Sequence, residues 1–451
     1  MRILLINPWI YDFAAYDEWM KPLGLLYIGA FLEKFGYHIF LINCMDRHHP
    51  LLKKKFGKRA STNRKYDCGK FFEEAIKKPK PLKNVPRKYK RYGITPDIFE
   101  EELRKIEPPD IIGVSSGMTY WYPGAFEVIR RVKLLFPGVP VVLGGIYATL
   151  CSQHARKFSG ADYVIEGRGE IKILKIVDEL AGVKRDYSLI SNELGKLPYP
   201  AYYLMKRVYS VSMITSLGCP FRCSYCASKI LQPVFYQRSP GNVIEEIDYY
   251  TQRFGVKDIA FYDDALLVNP EGHIFPILDL IIRRVKDVRF HTPNGLHIRY
   301  INQKLAKKLF QANFKTIRLS FETSNPKRWK DSCYKVSNQD LMRTVDNLKM
   351  VGYRDKDIQV YVMVGLPGQS FKEIMDTVKF VHKLKVKINP VEFSPIPGTE
   401  EYKKAVRDYG FPSDEPLFQN NSIFPMQTKD MDYSKFWEMK NYITKLNSDL
   451  K

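Results

Sequence analysis

Three of the seven cysteines crowd into eight residues, Cys219, Cys223 and Cys226 in the run Thr215-Ser-Leu-Gly-Cys219-Pro-Phe-Arg-Cys223-Ser-Tyr225-Cys226. Thiols this dense are metal ligands or redox groups. An odd cysteine count in a long chain argues against disulfides. The apolar run at the N-terminus, Ile3 to Ile6, is also too short for a signal-peptide core. A structural zinc ordinarily takes four ligands in separated pairs, so three thiolates fall one short. A 4Fe-4S cluster takes one cysteine per iron, and three cysteines leave one iron open to a small molecule. On the second reading the open iron is a reaction site.

The Cys-x3-Cys-x2-Cys spacing, with Tyr225 directly before the last cysteine, resembles the signature of the radical S-adenosylmethionine superfamily. The resemblance implies that the open iron chelates the methionine part of S-adenosylmethionine and that reductive cleavage gives a 5'-deoxyadenosyl radical. It also implies cofactor contacts from Tyr225 and from the strand ends that follow. These are Asp263 in Tyr262-Asp263-Asp264, Asn294 in His291-Thr-Pro-Asn-Gly-Leu-His297, Ser320 with Glu322, Leu366 in Gly365-Leu-Pro-Gly368, and the turn Pro395-Ile-Pro-Gly-Thr399. In that family the second strand end meets the amino group. The fourth reaches ribose or carboxylate, and the fifth and sixth flank the adenine. Each motif also reads as an ordinary turn or capped strand end.

The first part of the chain resembles the cobalamin-binding domain that precedes the barrel in one subfamily of these proteins. The residues that carry this resemblance are Asn7-Pro8, Pro22-Leu23-Gly24, Ser115-Ser116-Gly117-Met118, Gly144-Gly145 and Glu166-Gly167-Arg-Gly-Glu170. Glycines and small residues at strand ends let a large cofactor approach the backbone. Asp46-Arg47-His48 has the Asp-x-His form of a cobalt-ligating motif, but it follows the second strand and Leu51 stands where that motif has glycine. His48 therefore reads as a surface loop histidine, and bound cobalamin is expected to lack a histidine ligand. Met118, Thr119, Tyr120 and Trp121 are candidates to line its lower face, and equally for packing. Cys333 reads as an inert thiol.

The elements that must position these residues are α/β throughout. Residues 1–200 predict a doubly wound, Rossmann-like parallel sheet, with strands at Ile3–Ile6, Tyr37–Ile42, Asp110–Val114, Val139–Leu143 and Tyr163–Ile165. Helices are expected at 24–35, 98–105 and from Gly124. A basic insert spans 51–93, and 182–206 reads as a linker with Pro198 and Pro200. Residues 201–410 predict a partial (β/α)6 TIM-type barrel, its strands at Val211–Ser216 and near Ile259, Phe290, Ile317, Val360 and Val391. Chemistry is expected at their C-terminal ends. Residues 411–451 form a C-terminal helical extension with a helix at 430–449.

Length and composition fit a folded chain of two or three domains: 451 residues, 45% hydrophobic and 14% aromatic. The longest apolar stretch of note, Leu23 to Leu32, is about half of what a bilayer crossing needs, and a cytoplasmic location is expected. Net charge is +22, of which +13 falls in residues 51–93, where 16 Lys/Arg face only Asp67, Glu73 and Glu74. That segment reads either as a solvated surface insert or as a phosphate-binding element. The implied function is a cobalamin-dependent radical S-adenosylmethionine methyltransferase acting on an unactivated carbon or phosphorus centre through methylcobalamin. Its partners would be a small-molecule substrate and an electron donor such as flavodoxin or ferredoxin. The alternatives are a radical cyclase, rearrangement or methylthiolation enzyme without methyl transfer, and, from another class, a basic nucleic-acid-binding iron-sulfur protein.

Overall fold

The computed structural model describes residues 1–332 and 336–450. Cys333 lies outside the described residues. The chain divides into two compact units, residues 1–209 with 413–423, and residues 210–412 with 424–451.

The first unit is built on five parallel strands: β1 (Arg2–Asn7), β2 (His38–Asn43), β3 (Ile111–Val114), β4 (Val141–Leu143) and β5 (Tyr163–Val164), in the spatial order 2-1-3-4-5. Ile3 to Ile6 of β1 are fully buried, as a strand covered on both faces requires. Helices Leu23–Lys34, Tyr122–Leu135 and Glu170–Leu180 supply the cover. In Tyr122–Leu135 the buried residues Ala125, Val128, Ile129 and Val132 recur at helical spacing. Strand order reverses between β1 and β3, which makes their C-terminal ends the crevice where such sheets bind ligands.

Three features differ from the sequence expectation. The basic segment is not a solvated decoration, because Glu73–Ala75 and Lys90–Tyr92 form an antiparallel sheet with Ile10–Asp12. Phe71, Leu82, Tyr89 and Tyr92 are buried with Ile10 and Phe13, so the segment carries core of its own. Residues 182–206 are not an extended linker either. Leu194, Leu197, Ala201 and Tyr202 are buried, and the Ala201 N–H bonds the Leu26 carbonyl at 3.0 Å. Prolines broke the period there and hid the buried positions. Finally, residues 413–423 return to this unit as a strap. Asn420 Nδ2 donates to Asp12 Oδ1 (2.9 Å), Tyr122 OH to Glu415 Oε1 (3.0 Å) and Tyr120 OH to Asn421 Oδ1 (3.1 Å).

The second unit carries six parallel strands in sequential order, as a partial barrel: β6 (Ser210–Met213), β7 (Asp258–Phe261), β8 (Arg289–His291), β9 (Phe314–Glu322), β10 (Ile358–Val364) and β11 (Lys387–Glu392). Phe261, Phe290 and Phe314, on neighbouring strands, stack with centroids 5.4–5.8 Å apart. Helix Pro240–Phe254 starts with Ser239 capping the Asn242 N–H and Pro240 in the first turn, and ends on Gly255 in the left-handed region. The last helix is Tyr433–Ser448. Among the described residues no helix is long and apolar enough to cross a membrane.

Candidate functional site

In the second unit the cysteine loop grows from the end of β6. That strand stops at Met213, short of the expected Ser216, because Thr215 and Ser216 turn to bond Asp263 after β7. Asp263 Oδ1 accepts from Thr215 N–H (2.9 Å), Thr215 Oγ1 (2.7 Å) and Ser216 Oγ (2.6 Å). Thr215 Oγ1 also meets His273 Nε2 at 2.8 Å. Asp263 and His273 are both buried. Burial raises the Asp263 carboxyl to about 6 against its hydrogen bonds, and burial lowers His273 to about 4. The Asp263 carboxylate is thus turned inward, where it braces two strand ends. Its other oxygen, Oδ2, is buried without a hydrogen-bond partner.

The base of the loop is clamped where Ser216–Leu217 pairs antiparallel with Tyr236–Gln237. The buried Arg238 donates to the Ile214 carbonyl at 2.9 Å and pairs with the buried Glu246. Gly218 holds φ +73°, with a Cβ position 3.0 Å from the Gln232 and Val234 carbonyls, so the turn into Cys219 requires glycine. From the other side, the Glu401 N–H bonds the Ser224 carbonyl at 3.1 Å. Cys219 and Cys223 are half-buried and Cys226 is exposed. Ser228 N–H points at the Cys226 sulfur (3.5 Å), and Ser228 Oγ donates to Asp264 Oδ2 (2.8 Å). Among the described residues no three His, Cys, Asp or Glu side chains converge tightly enough to share one metal ion. A 4Fe-4S cluster asks for no such convergence, since each cysteine takes a separate iron. Three thiols on a clamped loop fit that group, and hydrogen bonds to the sulfurs are one lever on its potential.

Around the loop the structure gathers several of the sequence-picked residues. Burial, then the charges of Glu322 and Cys223, push the Tyr225 phenol well up. Glu322 is buried, ends β9 at a register shift and holds φ +73°, a strained conformation of the kind found at binding sites. Asn294 Nδ2 donates to the Tyr262 carbonyl (2.9 Å), tying the second and third strand ends. A Cβ at Gly295 would lie 1.9 Å from Ser320 Oγ, so Ser320 packs on the glycine after Asn294. Leu366 is buried, and Gln369 Oε1 accepts from the N–H groups of Gly365 (2.8 Å) and Leu366 (3.2 Å), fixing that turn. Thr215, His273, Arg238, Gln369 and Glu401 are the positioning residues that sequence reasoning missed. Only Thr215 carried a signal, its place beside the cysteine run.

At the crevice end of the first unit's sheet, Asn7 Nδ2 donates to Asn43 Oδ1 (2.7 Å), and Ser115 Oγ reaches Asn7 Oδ1 at 3.5 Å. Ser116 is buried. Its Oγ donates to the Gly144 carbonyl (2.7 Å), and its own carbonyl accepts from Ile146 N–H (2.9 Å). Gly145, at φ +99°, would set a Cβ 2.2 Å from that carbonyl. Gly117 packs on Trp121, whose Nε1 donates to Asp12 Oδ2 (2.8 Å), while Tyr120 and Thr119 are buried. Of that stretch Met118 stands out into solvent, 44% exposed. Gly167 N–H bonds Thr149 Oγ1 (2.9 Å), and Glu166 pairs with Arg156 (2.8 Å). Gly24, Gly144 and Gly167 border open space, with nothing within 4 Å of a Cβ position. Glycines facing open space at the C-terminal ends of the strands, with an exposed methionine after β3, fit a bulky planar cofactor.

His48 sits in a turn, half-buried, with its side chain engaged. Its Nε2 lies 3.0 Å from Asp67 Oδ1 and its ring 4.5 Å from that of Tyr209, while the buried Arg47 pairs with Asp17 and Asp67 at 3.1 Å. Against the penalty of burial, His48, Lys21 and Arg47 hold the Asp67 carboxyl down at about 2.

Comparison with known families agrees with this geometry. The Radical SAM superfamily matches residues 213–381, and the B12 binding domain matches residues 91–177. The chain carries a radical SAM domain and a B12 binding domain. The cofactors of such a chain are a 4Fe-4S cluster, S-adenosylmethionine and cobalamin. It is 25% identical to an uncharacterized methyltransferase of Pyrococcus horikoshii, over 70% of this chain and 74% of that protein. It is 20% identical to the cytidylyl-2-hydroxyethylphosphonate methyltransferase of Streptomyces wedmorensis, over 93% of this chain and 84% of that one. Its fold resembles that of TsrM, a radical S-adenosylmethionine methyltransferase from Kitasatospora setae, with a TM-score of 0.66 and 15% identity over 91% of this chain and 76% of that one.

Proposed function

We propose that this protein is a cobalamin-dependent radical S-adenosylmethionine methyltransferase acting on an unactivated carbon or phosphorus centre of a small molecule. The observation that carries the reading is the presence, in one chain, of a clamped three-thiol loop at barrel strand ends and a parallel sheet with glycines bordering open space after its C-terminal strand ends. When bound, the cluster and cobalamin supply a 5'-deoxyadenosyl radical and a transferable methyl group. The protein's own part is placement. Cys219, Cys223 and Cys226 hold the cluster. Glu322, Ser320, Asn294, Tyr225 and Leu366 shape the cosubstrate site, and Asp263 braces it from behind. Asn7, Gly24, Ser115 to Met118, Gly144, Gly145, Glu166 and Gly167 shape the cobalamin end. A low-potential donor of the flavodoxin or ferredoxin kind, in the cytoplasm, suits the cluster. Both relatives named methyltransferase support the reaction class.

The test is anaerobic reconstitution with iron, sulfide and cobalamin, addition of S-adenosylmethionine and a one-electron reductant, and mass analysis of candidate substrates. We expect deoxyadenosine and a product heavier by one methyl in place of hydrogen. Replacing the three cysteines by Ala should abolish both. Deoxyadenosine without methyl gain would replace this reading with a cyclase or rearrangement, and deoxyadenosine from the triple variant would overturn the cluster assignment.

A further inference from the structure

The first unit carries a feature that the cofactor chemistry leaves unused. Where the basic segment leaves its small sheet, a cleft of about 640 Å³ opens, walled by Lys77, Lys78, Lys83, Arg87, Lys88 and Tyr89. Ala75 pairs with Lys90, and the ladder continues one step through the Ile76 N–H to the Tyr89 carbonyl at 3.0 Å. Beyond that bond the two segments leave the sheet and carry Lys77 and Lys88 into the lining of the cleft.

Lys77, Lys83 and Lys88 are exposed and have no carboxylate partner among the described residues. Three other cations of the segment do. Lys55 pairs with Asp97, Lys90 with Glu73, and Arg91 with Glu74, while Asp67 is taken by Arg47 and His48. The wall is also fixed in place. Leu82 is 1% exposed in the core beside Phe13 and Tyr89. Lys78 Nζ donates to the Val85 carbonyl at 2.5 Å, and Arg87 lies over the Phe13 ring at 5.6 Å. A rigid loop that concentrates unneutralised ammonium groups in a concavity is complementary to an oxyanion.

We propose that this cleft binds a phosphate-class group, an ester, diphosphate or phosphonate, carried by a small molecule. Its volume lies in the range of small-molecule sites, roughly 300–1,000 Å³. A single-stranded nucleic acid is disfavoured, because the lining of the cleft offers no aromatic platform. The ring on the wall, Tyr89, is 2% exposed and offers no face for a base to stack on. The site stands on these residues alone and holds whether or not methyl transfer is the reaction.

The experiment titrates the full chain calorimetrically with inorganic pyrophosphate, uridine diphosphate and a single-stranded RNA. It uses the wild type, the Lys77→Gln/Lys88→Gln variant, and Lys58→Gln as an off-cleft control. We expect saturable binding of uridine diphosphate that weakens at least about tenfold in the double variant and is unchanged in the control. Pyrophosphate binding as tightly would identify the free ion as the ligand, and weaker pyrophosphate binding would identify an ester. No saturable binding of either phosphate overturns the proposal, as does RNA binding that exceeds both and ignores the double variant.

Discussion

Asp263 and His273 share the Thr215 hydroxyl, and their titrations oppose one another. The Asp263 carboxyl is raised from 3.8 to about 6 and His273 is lowered from 6.5 to about 4, burial being the larger cause in each. At about 1.36 kcal/mol per pH unit, ionised Asp263 costs roughly 3 kcal/mol above pH 6, a penalty that disappears as pH falls through 6 to 3.8. Neutral His273 costs nothing at pH 7, but the unfolded chain gains its proton first, so roughly 3 kcal/mol of stability is lost between pH 6.5 and 4. In the wild type the two slopes nearly cancel. Each single variant should expose the other group. Asp263→Asn should lose about 3 kcal/mol more than wild type between pH 7 and 4, and His273→Gln should gain about as much. Urea titration of the cluster-free chain at several pH values, read as variant minus wild type, removes every titration that the three proteins share. If both differences stay flat within about 0.5 kcal/mol, the pair is not buried as described and the brace behind the cysteine loop is misassigned.

Gly145→Ala, at φ +99° with its Cβ 2.2 Å from the Ser116 carbonyl, should cost roughly 3 kcal/mol through strain and clash and release cobalamin; a wild-type melting temperature with cobalamin retained would refute the close approach. Glu322→Gly should raise the melting temperature slightly by removing a left-handed non-glycine residue, yet lose S-adenosylmethionine cleavage. Retained cleavage would take Glu322 out of the site. In His48→Ala the paramagnetic resonance spectrum of the reduced, cobalamin-loaded chain should match wild type and show no protein nitrogen splitting, since His48 is engaged by Asp67. Splitting that vanishes in the variant would make His48 the ligand.

The cluster loop was legible because its chemistry is local, three thiols within eight residues after a strand. The strands were legible for the same reason, since runs such as Ile3 to Ile6 are buried on both faces and need no partner to be recognised. What depends on distant partners was not. Asp263 stands at its strand end as read, but only folding shows that Thr215 and Ser216 draw its carboxylate inward. His273 has no local motif at all, and Gln369 looks like any loop glutamine until two N–H groups are seen to converge on it. The Glu322 side chain was legible, but its positive φ was not, because conformational strain leaves no mark on residue type.

The strap at 413–423 bears on how the protein is made. Asp12, near the start of the chain, waits for Asn420, near its end. The ribosome must add 214 residues after Tyr209 before Ile423 exists, roughly 10–40 s of elongation at 5–20 residues per second. Through that interval the buried Asp12 carboxylate and the Tyr120 and Tyr122 hydroxyls lack their strap partners. The first unit, although it leaves the ribosome first, is therefore finished only after the whole barrel has been synthesised, which reverses the usual order in which the domain made first is completed first.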